Sequence, residues 1–106
     1  MTWRKFNNIP TAYAGKGYAS RKEARFAQGL DLRVKAGKLK GWRRQVTVPL
    51  KVGNRKICNY IVDFVLMYPD GHEQYVEVKG YPHPVGELKI KLFRACYPEL
   101  DFDVIR

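Results

Sequence analysis

Apolar and polar positions along this chain change from irregular to periodic at residue 20. Residues 1–19 mix Asn, Gly, Ala and Tyr with scattered Lys and Arg and show no period, which predicts an irregular arm. Ser20 with Glu23 three residues on is a capping-box start. Ala24, Ala27, Leu30 and Val34 follow at helical spacing with Phe26 beside them, and Ala36-Gly37 ends the run, so a helix is predicted over 20–36. Val46, Val48 and Leu50 alternate with Thr47 and Pro49, predicting a strand near 42–50, with Pro49 marking an edge or a strand end. Gly53-Asn54 reads as a turn, 56–68 as a long β-rich run, Pro69-Asp70-Gly71 as a turn, and 72–79 as the returning strand. After the loop from Gly80 to Pro84, Leu88, Leu92, Ala95 and Cys96 sit at helical spacing with Pro98 as the stop, which predicts a helix over 86–97. The stretch 88–92 also alternates as a strand would. Residues 102–105 close the chain as a short strand. The order α-β-β-β-α-β predicts an α/β fold: a mixed, mainly antiparallel sheet flanked by two helices.

Register turns the hairpin into chemistry. With Pro69-Asp70-Gly71 as a three-residue loop, Asp63 falls directly opposite Glu77; a four-residue loop would shift this by one. Opposed Cβ atoms lie about 5 Å apart, where like charges are destabilising. A shared proton, a basic neighbour or a metal ion must offset them. Strand period puts Lys79 on the face of Glu77, together with Ile61, Val65 and Tyr75, while Val62, Phe64, Leu66, Val76 and Val78 form the core face.

A third carboxylate comes from the first helix. Glu23 falls within the apolar arc of Phe26, Ala27, Leu30 and Val34, away from Arg21, Lys22 and Arg25, so it faces the sheet. Two roles fit it: closing a capping box with Ser20, or joining the strand carboxylates. The first helix is expected to lie over the face that carries them.

Composition narrows the class. Of 106 residues, 45% are apolar and 13% aromatic, enough for one modest core and above disordered composition. No apolar run approaches the ~20 residues of a membrane span, and no charged-then-apolar leader opens the chain. Cys58 and Cys96 stand far apart without metal-ligand spacing, so a reducing cytoplasm is the expected compartment. The net charge of +10 is uneven: residues 1–56 hold 15 basic and 2 acidic side chains, residues 57–106 hold 5 and 8. A basic half of this density suits a polyanion, most often nucleic acid.

Asp63 followed by Glu77-Val78-Lys79, after an early helix bearing Glu23, resembles the PD-(D/E)XK nuclease superfamily, and in particular small phage-type, Holliday-junction-resolvase-like endonucleases. The resemblance spans about residues 14–97, through 15–24, 60–64, 76–80 and 91–93, with Val62 where the literal motif has Pro. It implies a restriction-endonuclease-like core and a single nuclease domain over 1–106, with arm 1–19 and catalytic core 20–106. The implied activity is that of an Mg²⁺- or Mn²⁺-dependent endodeoxyribonuclease. Asp63, Glu77 and the Val78 carbonyl would be the metal ligands, with Glu23 completing the shell directly or through water. Lys79 would orient the attacking water or neutralise charge developing on phosphorus. The resolving relatives act as symmetric dimers, so a homodimer is expected.

Other residues are candidates for holding DNA. Arg4, Lys5, Lys16, Tyr18, Arg21 and Lys22 belong to a stretch that mixes cations with rings, as do Arg43 and Arg44 beside Trp42. Lys89 and Lys91 on the second helix and His83 between two prolines complete the set, while His72 reads as flanking a turn near the rim of the core face. A chain this short leaves little for reading bases, so structure-selective cleavage of branched DNA, or nonspecific nicking, is expected. The rival expectation is a non-catalytic basic nucleic-acid-binding module whose acidic pair is structural. A further rival is a subunit that cleaves DNA when a second protein joins it.

Overall fold

The structure, a computed structural model, describes residues 11–106. Two short strands, β1 (Thr11–Tyr13) and β2 (Lys16–Tyr18), precede helix α1 (Arg21–Lys35). Then come β3 (Gly41–Val52), β4 (Arg55–Met67), β5 (Glu73–Val78), helix α2 (Pro84–Cys96) and β6 (Asp101–Ile105). The main sheet has the order β3-β4-β5-β6, antiparallel except for the parallel pair β5–β6. This is the expected mixed α/β core. Among the described residues no helix is long and apolar enough to cross a membrane.

One expected loop is a hairpin instead. β1 and β2 pair around Ala14-Gly15, both with positive φ (52° and 76°), the two-residue turn whose twist suits a hairpin. Three-residue strands are too short to show a period in sequence. The hairpin is fastened to the domain by α1: Asp31 accepts hydrogen bonds from the Tyr13 hydroxyl at 2.5 Å and from Trp42 Nε1 at 3.0 Å. Ser20 caps α1 as its sequence predicts, accepting from the Glu23 N–H at 3.1 Å.

The helices cover opposite faces of the sheet. Ala24, Ala27 and Leu30 of α1 pack on Phe64, Leu66, Val76 and Val78. Ile90 and Phe93 of α2 pack on Val48, Leu50, Tyr60 and Val62, with Tyr75, Phe102 and Val104 alongside. Tyr75 shares the face of Glu77, since both are odd positions of one strand. The expected placement is therefore corrected: α2, and not α1, covers the carboxylate face. An apolar stripe on a helix shows that it packs, but not on which side of a sheet buried on both.

A second departure lies within β4. Phe64 and Leu66 join the cluster under α1, whereas Tyr60 and Val62, of the same parity, join that under α2. The change falls at Asp63. There the β3–β4 ladder passes from Arg44↔Phe64 to Val46↔Val62 without a Gln45–Asp63 pair, and Gln45 has φ of +55°. The ribbon thus turns over at this point, and Val62 leaves the face where strict alternation puts it.

Phe93 anchors the α2 side. It has 0% exposure and meets the rings of Tyr60, Tyr75, Tyr97 and Phe102 at centroid distances of 4.5 to 5.8 Å. Phe93→Ala is expected to cost about 3–5 kcal/mol, read as a lowered urea midpoint.

Candidate active site

The sheet splits where the carboxylates meet. The β4–β5 ladder runs from Met67↔Glu73 to Phe64↔Val76 and ends there. Its register follows from the Pro-Asp-Gly turn: the Gly71 N–H donates to the Tyr68 carbonyl and the Tyr68 N–H to the His72 carbonyl, each at 3.0 Å. Asp63 therefore reaches the level of Glu77. Beyond Phe64, side chains replace the ladder. The Val78 N–H donates to Asp63 Oδ2 at 2.9 Å, and the Asp63 N–H donates to Glu77 Oε1 at 3.3 Å. A regular strand would aim the Asp63 N–H at β3; the turnover at Gln45 aims it at β5. Because a strand residue directs its N–H and C=O to the same side, the Val78 carbonyl also points into this fork.

Burial makes the fork electrostatically demanding. Asp63 is 4% exposed, Glu77 5%, Lys79 7% and Glu23 1%. Adjacent carboxylates removed from water require compensating positive charge and hydrogen bonds. Lys79 is the cation on the same strand face. Its backbone is fixed twice: the N–H donates to the Ile105 carbonyl at 2.7 Å, and the carbonyl accepts from Lys22 Nζ at 2.9 Å. Its side chain reaches the first turn of α2. A Cβ on Gly86 would stand 2.5 Å from Lys79 Nζ, so the glycine makes room for the amine. Sequence reasoning missed Gly86, since a glycine in a first helical turn carries no signal of its own.

Glu23 faces inward as expected and accepts from the Ala19 N–H at 3.3 Å. The Lys22–Lys79 bond brings the start of α1 to the end of β5. Among the described residues, however, no three His, Cys, Asp or Glu side chains are gathered closely enough to enclose an ion.

Tyr60 is a site residue that the sequence did not single out. It is 4% exposed, and its hydroxyl lies close enough to Glu77 to feel its charge but makes no hydrogen bond of ordinary geometry. Burial, foremost, then the Glu77 charge and the approach of its carboxylate to the hydroxyl, and then the Asp63 charge push its ionisation far above the ordinary tyrosine value. Its spacing from Asp63 offered no clue, because the turnover of β4 lies between them.

The expected DNA-binding residues divide into several groups. Arg4 and Lys5 lie outside the described residues, as does the side chain of Lys16. Tyr18 is 3% exposed and packs in the core, which corrects its expected role as a base-stacking ring. Arg44 lies over the Tyr18 ring at 3.9 Å and donates to the Gly17 carbonyl at 2.8 Å, so it fastens β3 to β2. Arg43 pairs with Glu73 at 3.1 Å, Trp42 is bonded to Asp31, and Lys22 holds Lys79. Arg21, His83 and Lys91 are exposed, and Lys89 is half-buried. His72 is exposed as well, stacked on Tyr68 and bonded through Nδ1 to Asp70 at 2.7 Å, which corrects its expected place on the core face.

The donor set at the fork fits a hard divalent cation. Asp63, Glu77 and the Val78 carbonyl are oxygen donors from two adjacent strands. Mg²⁺ is commonly held by one or two carboxylates, with water and phosphate oxygens filling the remaining positions. The family model described as "Protein of unknown function (DUF1064)" matches residues 3–106, and the chain belongs to that family. No curated protein and no solved structure matches it.

The buried phenol gives a test of sign. Tyr60→Phe removes a hydroxyl without a proper partner and is expected to leave the urea midpoint unchanged or raise it, where loss of a made hydrogen bond would cost about 1 kcal/mol. The ordinary tyrosine value is 10.0, and Tyr60 stays protonated above it in the folded chain. The unfolded chain releases that proton first, so stability falls as pH rises past 10. Denaturation midpoints at successive pH values should show a shallower fall in Tyr60→Phe.

Proposed function

We propose that this chain is a metal-dependent DNA endonuclease of the PD-(D/E)XK type, hydrolysing phosphodiester bonds in branched DNA or nicking without sequence preference. The observation that carries the reading is the fork, where Asp63 and Glu77 meet across diverging strands beside Lys79. Asp63, Glu77 and the Val78 carbonyl would hold Mg²⁺, with Mn²⁺ as a substitute. When bound, such an ion supplies a Lewis acid for a phosphate oxygen and lowers the pKa of water. Lys79, seated in the space left by Gly86, directs its ammonium toward charge that develops on the phosphate. Glu23, at the capped start of α1, would complete the metal shell directly or through water. Exposed Arg21, His83 and Lys91, together with half-buried Lys89, would bind backbone phosphate. A symmetric dimer would set two such sites against two strands of a junction. Two free cysteines accord with a reducing cytoplasm, that of the host cell if the chain is phage-encoded.

One observation favours a second reading. The backbone N–H bonds to Asp63 and Glu77 are also what a structural acidic pair would make, as in a non-catalytic nucleic-acid-binding module.

Purified protein incubated with labelled linear, flapped and four-way DNA in Mg²⁺, Mn²⁺ or EDTA separates the two. Metal-dependent products are expected, and Asp63→Asn, Glu77→Gln and Lys79→Ala should each reduce their rate by about 10²-fold or more. Binding without products on every substrate would leave the structural module standing. Gly86→Ala supplies an independent check: the helix is retained, since Ala favours it by about 1 kcal/mol over Gly. The added methyl displaces the Lys79 amine, so cleavage should fall toward the Lys79→Ala level while the circular dichroism spectrum stays unchanged.

A further inference from the structure

Between Thr47 and Val62 the chain contains no acidic residue, and its turn carries Lys51, Arg55 and Lys56. Residues 51–57 are all exposed. Lys51 and Lys56 are partners across the strands, next to a register shift between Leu50 and Lys51. Like charges directly opposed weaken a hairpin. Among the described residues no ion pair offsets them, in contrast to Arg43 with its Glu73.

This segment also stands apart from the sheet. β4 pairs with β5 only from Phe64 onward, so below Asp63 the β3–β4 ribbon continues as two strands. The end of α2 braces its root: the Tyr97 hydroxyl donates to the Pro49 carbonyl at 2.5 Å, and Cys96 Sγ to the Lys51 carbonyl at 3.1 Å. Past Lys51 no such brace is present among the described residues. Val52 and Ile57 are 62% and 54% exposed there, large apolar side chains beside a cationic tip.

A two-stranded ribbon with a basic end fits the major groove of duplex DNA, which is about 12 Å wide and admits such a ribbon. We propose that the β3–β4 ribbon beyond Asp63 is a second DNA-binding surface, gripping a duplex arm beside the scissile phosphate through Lys51, Arg55 and Lys56. The proposal rests on the reading of this chain as a protein that acts on DNA. The reach is set by the strand: seven residues separate Asp63 from Lys56, about 24 Å at ~3.4 Å per residue. That length corresponds to about 7 base pairs at ~3.4 Å each.

The test compares the full chain with the combined variant Lys51→Ala, Arg55→Ala and Lys56→Ala, whose exposed side chains leave the core intact. Duplexes of about 5 and about 15 base pairs, lengths below and above this reach, are titrated by fluorescence anisotropy in EDTA across a range of salt. On the longer duplex the slope of log affinity against log salt should shrink in the variant by about 3, since each phosphate contact contributes about 0.9. On the shorter duplex the two proteins should have similar slopes. Equal slopes on the longer duplex would overturn the ribbon proposal while leaving the nuclease reading intact. Wild-type binding without metal-dependent cleavage would sink the nuclease reading, and the slope would still decide the ribbon. Wild-type protein that binds neither duplex at any salt overturns both.

Discussion

Two carboxylates held side by side out of water set the terms for the rest of this molecule. Asp63 and Glu77 would repel each other in any buried site, and the chain answers with a local rebuilding of the sheet. β4 turns over, its N–H swings toward β5, and the ladder gives way to carboxylate-to-backbone hydrogen bonds. Each neighbouring element contributes to that site. β6 fixes the Lys79 backbone through Ile105, α1 holds the same residue through Lys22, and α2 has a glycine where its amine must pass. The helices and the edge strand β6 thus do more than cover apolar surface: they close around a charged site that the strands alone would not sustain.

Much of the fold was legible because its signals are local and periodic. The Ser20 cap, the α1 stripe and the Pro-Asp-Gly turn each depend on a few adjacent residues, and the turn fixed the Asp63–Glu77 register six residues away on either side. What could not be read depends on the third dimension. Which helix covers which face is undetermined by a stripe, and the Ala14-Gly15 hairpin is too short to show a period. Tyr60 and Gly86 enter the site through the turnover of β4 and the approach of α2, neither of which has a signature in the residues themselves.

The basic half of the chain shows how little charge counting says about charge use. Lys22, Arg43 and Arg44 point inward or sideways, serving as struts between strands, helix and hairpin. Arg44 is a clear case, since its guanidinium lies flat on the buried Tyr18 ring and holds the hairpin to β3. Long cationic side chains suit this work because their stems pack while their heads find carbonyls and rings. The cations left free to meet a polyanion are therefore fewer than the 20 in the sequence, and differently placed.

The left-handed Gln45 has one more consequence, at the outer rim of the sheet. β3 is an edge strand of twelve residues, long enough to recruit a matching strand from another molecule and begin a stack. Gln45 bends that edge out of line, and four residues later Pro49 lacks the N–H that an incoming strand would need. The distortion that opens the fork on one side of β4 thus guards the other side against self-association into fibres.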